Sequence, residues 1–545
     1  MHSIDVVLAM LLAVAVSGYL VRIVPFSLPL PLVQIGLGAV IAGVFNKGYD
    51  LDPELFFLLF LPPLLFLDGW RIPKQGLFRD KGAILELAFG LVIFTVLGAG
   101  FLIHWMIPAM PLAVAFALAA VVSPTDPVAV SAIASRVPIP KRLMHILEGE
   151  SLLNDASGLV CFQFAVAAVL TGTFSLASAS LTFLWVALVG LGLGVGTTVG
   201  VSLVQRTIWR RFGEEPGAAI LVNLLTPFAA YLLAEAFGAS GILAAVSAGI
   251  TMSYVELSGR AAGSTRVQRS AVWDTVQFTF NGIMFVLLGE QLPGIVERAI
   301  HSMEQTGHLS PWWLLVYVVA INAGLAALRF LWVWLSLRWN LLKARYRGEQ
   351  AISPSWRILV ATSLAGVRGA ITLAGVLTLP LVVPGGSPFP ARDLTIFLAA
   401  AVILVSLLIA SLVLPRLLRD LKLPDEPEHR AEEDVAERES SKAALTAVEK
   451  LRQQLVERGV QVEIYNEAAS RVSQLYQRHL DRVERTETDP EQARLLEEAI
   501  AQYRRAGLQA ERDELFRLAR QRRISDEVSR RLIRNLDLIE ARRRS

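Results

Sequence analysis

Apolar stretches long enough to cross a bilayer follow one another through most of this chain, and no other feature restricts its fold as strongly. They lie near residues 5–21, 28–45, 53–70, 83–106, 112–135, 148–171, 181–205, 217–237, 239–257, 271–291, 312–337, 356–382 and 394–415, thirteen in all. About twenty apolar residues span the hydrocarbon core as a helix. In lipid, a helix lets a single segment satisfy its own backbone hydrogen bonds. Charge divides the chain in the same way. About 12% of residues 1–424 are charged, against about 41% of residues 425–545, where a soluble chain averages about 25%. The expected organisation is an all-α polytopic membrane domain, residues 1–424, followed by a charged helical domain, residues 425–545.

The short loops alternate in basic content. One set carries 22 Lys and Arg residues, among them Arg71, Arg142, Arg210 and Arg269; the other carries three, Lys47, Arg298 and Arg392. The positive-inside rule assigns the rich loops and residues 425–545 to the cytoplasm and the amino terminus to the outside. The first twenty residues lack the basic region of a cleaved signal peptide and read as a retained first span. A single thiol, Cys161, excludes an internal disulfide and a cysteine-based metal site. A net charge of +3, with both signs mixed through the tail, is no nucleic-acid footprint. The Arg/Glu-rich tail predicts solvated helices supported by i,i+4 pairs and broken near Gly459, Pro490 and Gly507. It reads as a solubilising or dimer-supporting appendage, with a regulatory module as the alternative. It shows no nucleotide fingerprint, and no cofactor is expected.

Ionisable residues inside apolar spans are expensive and mark function by default. The sixth stretch opens with Glu148-Gly149-Glu150-Ser151-Leu152-Leu153-Asn154-Asp155. Residues four apart share a helix face, so Ser151 projects with Asp155, and Glu150 and Asn154 form a neighbouring pair. In the fifth stretch Pro124 and Pro127 flank Asp126, which predicts an interruption over Ser123–Pro127 because proline removes a backbone donor and clashes with the preceding turn. In the twelfth, Arg368 stands between Gly366 and Gly369 and predicts a second broken or closely approached helix. Interrupted helices at mid-membrane are the usual cation-binding device of secondary transporters. A buried arginine needs anionic partners, and the Glu150/Asn154 face is the expected one. Asp274 and Arg329 either pair or snorkel towards water, and Glu256 is expected to face water.

SPTDPVAV, EGESLLNDASG and GVRGAITLAG, with LFLPPLLF in the third stretch, resemble the first family of monovalent cation/proton antiporters, the Na⁺/H⁺ exchangers with their NhaP-like bacterial branch. The likeness extends over most of residues 5–420. It implies thirteen helices in two inverted six-helix repeats, with broken helices five and twelve crossing at mid-membrane. It also implies that Asp155 is the cation- and proton-binding carboxylate, assisted by Asp126, Ser151 and the Thr125 carbonyl, and that Arg368 bridges Glu150 and Asn154. Members are homodimers that move a core against a dimerising scaffold. One departure stands out: the family carboxylate four residues after Pro-Pro is displaced here, with Asp68 five residues after Pro63. One residue turns a side chain by about 100°, so Asp68 either reaches the site or serves the cytoplasmic funnel beside Arg71.

The implied activity is Na⁺/H⁺ antiport, with Na⁺ (or Li⁺ or K⁺) and H⁺ competing for Asp155. Asn154 stands where the electrogenic family carries a second Asp, which implies electroneutral 1:1 exchange. A K⁺/H⁺ exchanger on the same scaffold is the alternative. A cation channel fits less well because no filter motif repeats. An intramembrane hydrolase fits less well because no HExxH occurs and Ser151 reads better as an oxygen ligand than as a nucleophile.

Overall fold

The computed structural model describes residues 2–23, 29–45, 53–72, 81–126, 141–172, 176–257, 263–305, 312–346, 356–384, 386–418, 427–457, 462–488 and 490–521, with a few positions beyond. The chain divides into two compact units, Met1–Leu423 and Pro424–Ser545.

The first unit consists of α1 (His2–Ile23), α2 (Leu30–Phe45), α3 (Pro53–Arg71), α4 (residues 81–106), α5 (Leu112–Val122), α6 (Lys141–Thr171), α7 (Leu176–Phe212) and α8 (Pro216–Ala236). There follow α9 (Gly241–Leu257), α10 (Gly263–Gln305), α11 (Trp312–Tyr346), α12 (Trp356–Leu364), α13 (Ala370–Leu377) and α14 (Arg392–Leu418). Among the described residues, eight helices are long and apolar enough to cross a membrane, and the shorter apolar helices Leu30–Val44, Leu112–Val122 and Gly241–Glu256 join them. Several outrun their apolar windows, α10 furthest, because a continuous helix keeps its backbone bonded past the point where side chains turn polar.

Loop chemistry separates helices that hydropathy alone nearly fuses. Between α8 and α9, Gly238 takes φ +62°, while its N–H donates to Glu235 O (2.9 Å) and that of Ala239 to Ala234 O (2.8 Å). This is the Schellman ending, which needs a left-handed residue and therefore favours glycine. Close helix approach also depends on missing side chains. A Cβ on Gly69 of α3 would lie 2.5 Å from Val246 O of α9, and one on Gly249 of α9 would lie 2.0 Å from Phe66 O of α3. Where lipid competes equally for apolar side chains, such backbone-to-backbone packing holds helices together.

In α4 the residues Glu86–Leu91 form a π-helical turn. The hydroxyl of Ser157 on α6 donates to Ala88 O at 2.7 Å, tying α6 to α4 two residues after Asp155. π-bulges of this kind occur frequently at functional sites.

The second unit contains α15 (Pro427–Glu457), α16 (Val462–Thr488) and α17 (Pro490–Arg520). Pairs such as Glu449–Arg452 and Glu467–Arg471 line the exposed faces, and Arg452 Nη1 reaches Asn466 Oδ1 across to α16 at 3.1 Å. Pro490 opens α17, where its missing N–H is harmless. Gly459 lies outside the described residues. Gly507 does not break the helix as the sequence suggests: α17 runs through it, since one glycine costs only about 1 kcal/mol against the strong helix formers around it.

Candidate functional site

The site is built where two helices stop. α5 ends at Val122, and Ser123–Asp126 continue as non-helical chain; Pro127 and the residues to 140 lie outside the described part. α12 ends at Leu364, and residues 365–369 are non-helical before α13 begins. The two interruptions meet: the Asp126 N–H donates to Val367 O at 2.7 Å. Gly369 permits the approach, since a Cβ there would lie 2.0 Å from Asp126 Oδ2. Gly158 does the same for α6, where a Cβ would lie 2.4 Å from the Pro124 ring.

A helix that stops inside protein leaves its last carbonyls without amide partners. Two buried arginines supply donors. Arg368 Nε donates to Val122 O at the end of α5 (2.9 Å) and Arg368 Nη1 to Gly366 O. Arg329 Nε donates to Thr362 O in the last turn of α12 (3.1 Å). A guanidinium suits these positions because it also answers the negative end of the helix dipole.

The pairing of the buried acid differs from the expectation. Glu150 does not take Arg368; it takes Arg329 of α11 in a two-pronged pair, Nη1–Oε1 2.5 Å and Nη2–Oε2 2.8 Å. Nor does Asn154 accept from Arg368: its Nδ2 donates to Thr125 Oγ1 at 3.0 Å, and its Oδ1 has no hydrogen-bond partner among the described residues. Arg368 gives its Nε and Nη1 donors to the two carbonyls instead. Arg329 lies 179 residues from Glu150, and only its mid-span position marked it in the sequence.

The two faces of α6 separate as their spacing requires. Glu150 points to Arg329, while Ser151 and Asp155 line a cavity of about 30 Å³ together with Asp68, Thr125, Asp126 and Thr372. That volume holds one or two water-sized species. Ser151 Oγ donates to Thr125 O at 2.5 Å, so two oxygens expected as cation ligands face each other at the wall. Asp68 reaches the cavity despite its displaced register. α3 runs unbroken from Pro53 to Arg71 through Pro62 and Pro63, and Asp68 in its last turn lines the cavity. Gln277 and Asn281 of α10 also line the cavity. These amides were missed, because uncharged polar residues in a long helix carry no distinctive pattern. At the mouth, Arg71 bonds Asp274 and Gln277 Oε1, the latter at 2.8 Å. Glu256 is part-buried, contrary to expectation, accepting from Trp70 Nε1 at 2.7 Å and from Arg269.

Three acidic side chains surround one small cavity, and among the described residues no three of His, Cys, Asp and Glu come close enough to hold one metal ion. An α-helical multi-pass membrane protein with two interrupted helices meeting beside such carboxylates is a secondary cation transporter in form. The profile described as sodium/hydrogen exchanger, transmembrane, matches residues 10–420, and the chain belongs to that family of cation/proton antiporters. It is 41% identical over 542 residues to YjcE of Escherichia coli strain K12, named an uncharacterized Na⁺/H⁺ exchanger, covering 98% of each chain. It is 44% identical over 421 residues to a sodium, potassium, lithium and rubidium/H⁺ antiporter of Bacillus subtilis strain 168, covering 75% of this chain and 60% of that one. The fold matches the sodium proton antiporter MjNhaP1 of Methanocaldococcus jannaschii with a TM-score of 0.58 at 17% identity, over 77% of this chain and 99% of that one.

Proposed function

We propose that the protein exchanges Na⁺ for H⁺ one for one, the two competing for Asp155. The observation that carries this reading is the convergence of Asp68, Asp126 and Asp155 on one small cavity at the meeting of the broken helices. Na⁺ would draw on Asp155 and Asp126, on the Ser151 hydroxyl and on the Thr125 carbonyl, with Gln277 and Asn281 as further oxygen donors. Among the described residues the carboxylates alone do not assemble a metal cage, so neutral oxygens must complete the shell. Only a cavity neutralised by Na⁺ or H⁺ crosses the barrier readily, because a bare carboxylate carries a desolvation penalty of several kcal/mol through a closed core. Forbidding that empty crossing couples the fluxes. Asn154, bonded to Thr125 Oγ1, adds no second charge, in keeping with electroneutral exchange.

The movement is a rigid displacement of the crossed half-helices against the remaining bundle. The working form is thirteen crossings in two inverted repeats, assembled as a homodimer in the inner membrane, with the amino terminus outside and residues 425–545 in the cytoplasm. Na⁺ is favoured as cargo over K⁺ alone, since Na⁺ is common to the names of these relatives; the B. subtilis name adds K⁺, Li⁺ and Rb⁺.

The test is reconstitution into liposomes holding a pH-sensitive dye, with Na⁺, Li⁺ and K⁺ pulses at clamped potential. Na⁺-driven proton flux independent of voltage is expected, and it is abolished in Asp155→Asn. Voltage-dependent flux overturns the stoichiometry. Retained exchange in Asp155→Asn overturns the site.

A further inference from the structure

A second and much larger cavity, about 520 Å³, opens among α7, α8, α9 and α10, away from the cation site. Its walls sort by chemistry. Arg206, Arg210 and Arg269 line it with a single acid, Glu256, while Val199, Leu203 and Met252 make an apolar wall. Arg269 is 5% exposed. It bonds Glu256 and lies over the Trp70 ring at 5.1 Å, yet its Nε has no hydrogen-bond partner among the described residues. A buried guanidinium N–H without an acceptor is costly and points to an anion. Asn223 adds an amide: its Oδ1 accepts from Trp273 Nε1 at 2.7 Å, and the side chain lines the cavity. Outside the cavity, Val204 and Ile208 of α7 and Leu221 and Leu225 of α8 are exposed apolar side chains, as lipid-facing positions are.

We propose that this cavity is a binding site for an anionic phospholipid. Its phosphate lies among Arg206, Arg210 and Arg269, and an acyl chain runs along Val199, Leu203 and Met252. The guanidiniums along the lining and the unmet Arg269 Nε favour an anion. The apolar wall favours an amphiphile over a free ion, and the cavity lies at the end of the bundle that carries the basic loops, where anionic headgroups collect. The site is distinct from the cation cavity, so binding can be read without transport.

The full chain is purified in detergent, and native mass spectra and melting temperatures are recorded with added phosphatidylglycerol, phosphatidylcholine or inorganic phosphate. Phosphatidylglycerol is expected to be retained at least tenfold more than phosphatidylcholine and to raise the melting temperature, as a ligand of the folded state does. The double variant Arg206→Gln/Arg210→Gln should lose that preference. Ala219→Phe, which fills the cavity and keeps every arginine, should lose lipid retention too. Equal retention of the two lipids, or a preference unchanged in both variants, overturns the proposal. So does a stabilisation that inorganic phosphate alone reproduces, which would mark a free-anion site.

Discussion

Glu150 and Arg329 form a pair that is 0% and 3% exposed at its side chains, with two short charge-assisted bonds between them. Changing Arg329 to leucine leaves Glu150 buried without its hydrogen-bonded partner, which costs about 3–5 kcal/mol. The bond to Thr362 O goes as well, so the end of α12 loses its donor. Replacing both residues, Glu150→Leu with Arg329→Leu, removes the stranded charge, and such apolar replacements are often neutral or stabilising. A double-mutant cycle should therefore return a coupling of at least about 2 kcal/mol, within the range found for residues in contact. The assay is reversible unfolding in mixed detergent micelles, followed by tryptophan fluorescence, on the wild type, both singles and the double. The companion cycle of Glu150→Leu with Arg368→Leu should show a clearly smaller coupling, because Arg368 is bonded to Val122 O and Gly366 O instead. Additive effects within about 0.5 kcal/mol for the Glu150–Arg329 cycle, or a larger coupling to Arg368, would refute the assignment.

Gly369→Ala forces a Cβ into the Asp126 carboxylate; it should reduce Na⁺-driven proton flux at least tenfold, while overpacking costs about 1–3 kcal/mol, measured on the same liposomes and micelles. Asp68→Asn keeps Asp126 and Asp155 at the cavity, so exchange should persist with a Na⁺ half-saturation concentration raised several-fold; complete loss would give Asp68 the role proposed for Asp155. In the tail, the hydrogen bond from Arg452 holds the Glu449 carboxyl below its usual range, and Arg517 does the same for Glu514. Groups depressed in the folded state stabilise above the ordinary carboxylate range and lose that contribution as pH falls through the folded value. Glu449→Gln and Glu514→Gln should therefore leave the pH profile of exchange unchanged over about pH 6–9, well above the carboxylate range.

Much of the architecture is local chemistry and is legible in the chain. Long apolar windows mark the helices, and Pro124 and the Gly366/Gly369 pair mark the stops. Ser151 and Asp155 share a face because 3.6 residues make a turn. Which residues are expensive in a membrane is also local, so Asp126, Glu150, Asp155, Arg329 and Arg368 stand out unaided.

Partnership is not local, and the tertiary structure decided it. Glu150 meets Arg329 rather than Arg368 because the stopped ends of α5 and α12 each demand a donor, and that demand appears only once α5, α6, α11 and α12 are packed. Asp68 of α3 and Gln277 and Asn281 of α10 enter the cavity because both helices pack against α13 beside the broken ends. Periodicity along one helix says which residues share a face. The neighbours that surround the helix decide what that face meets.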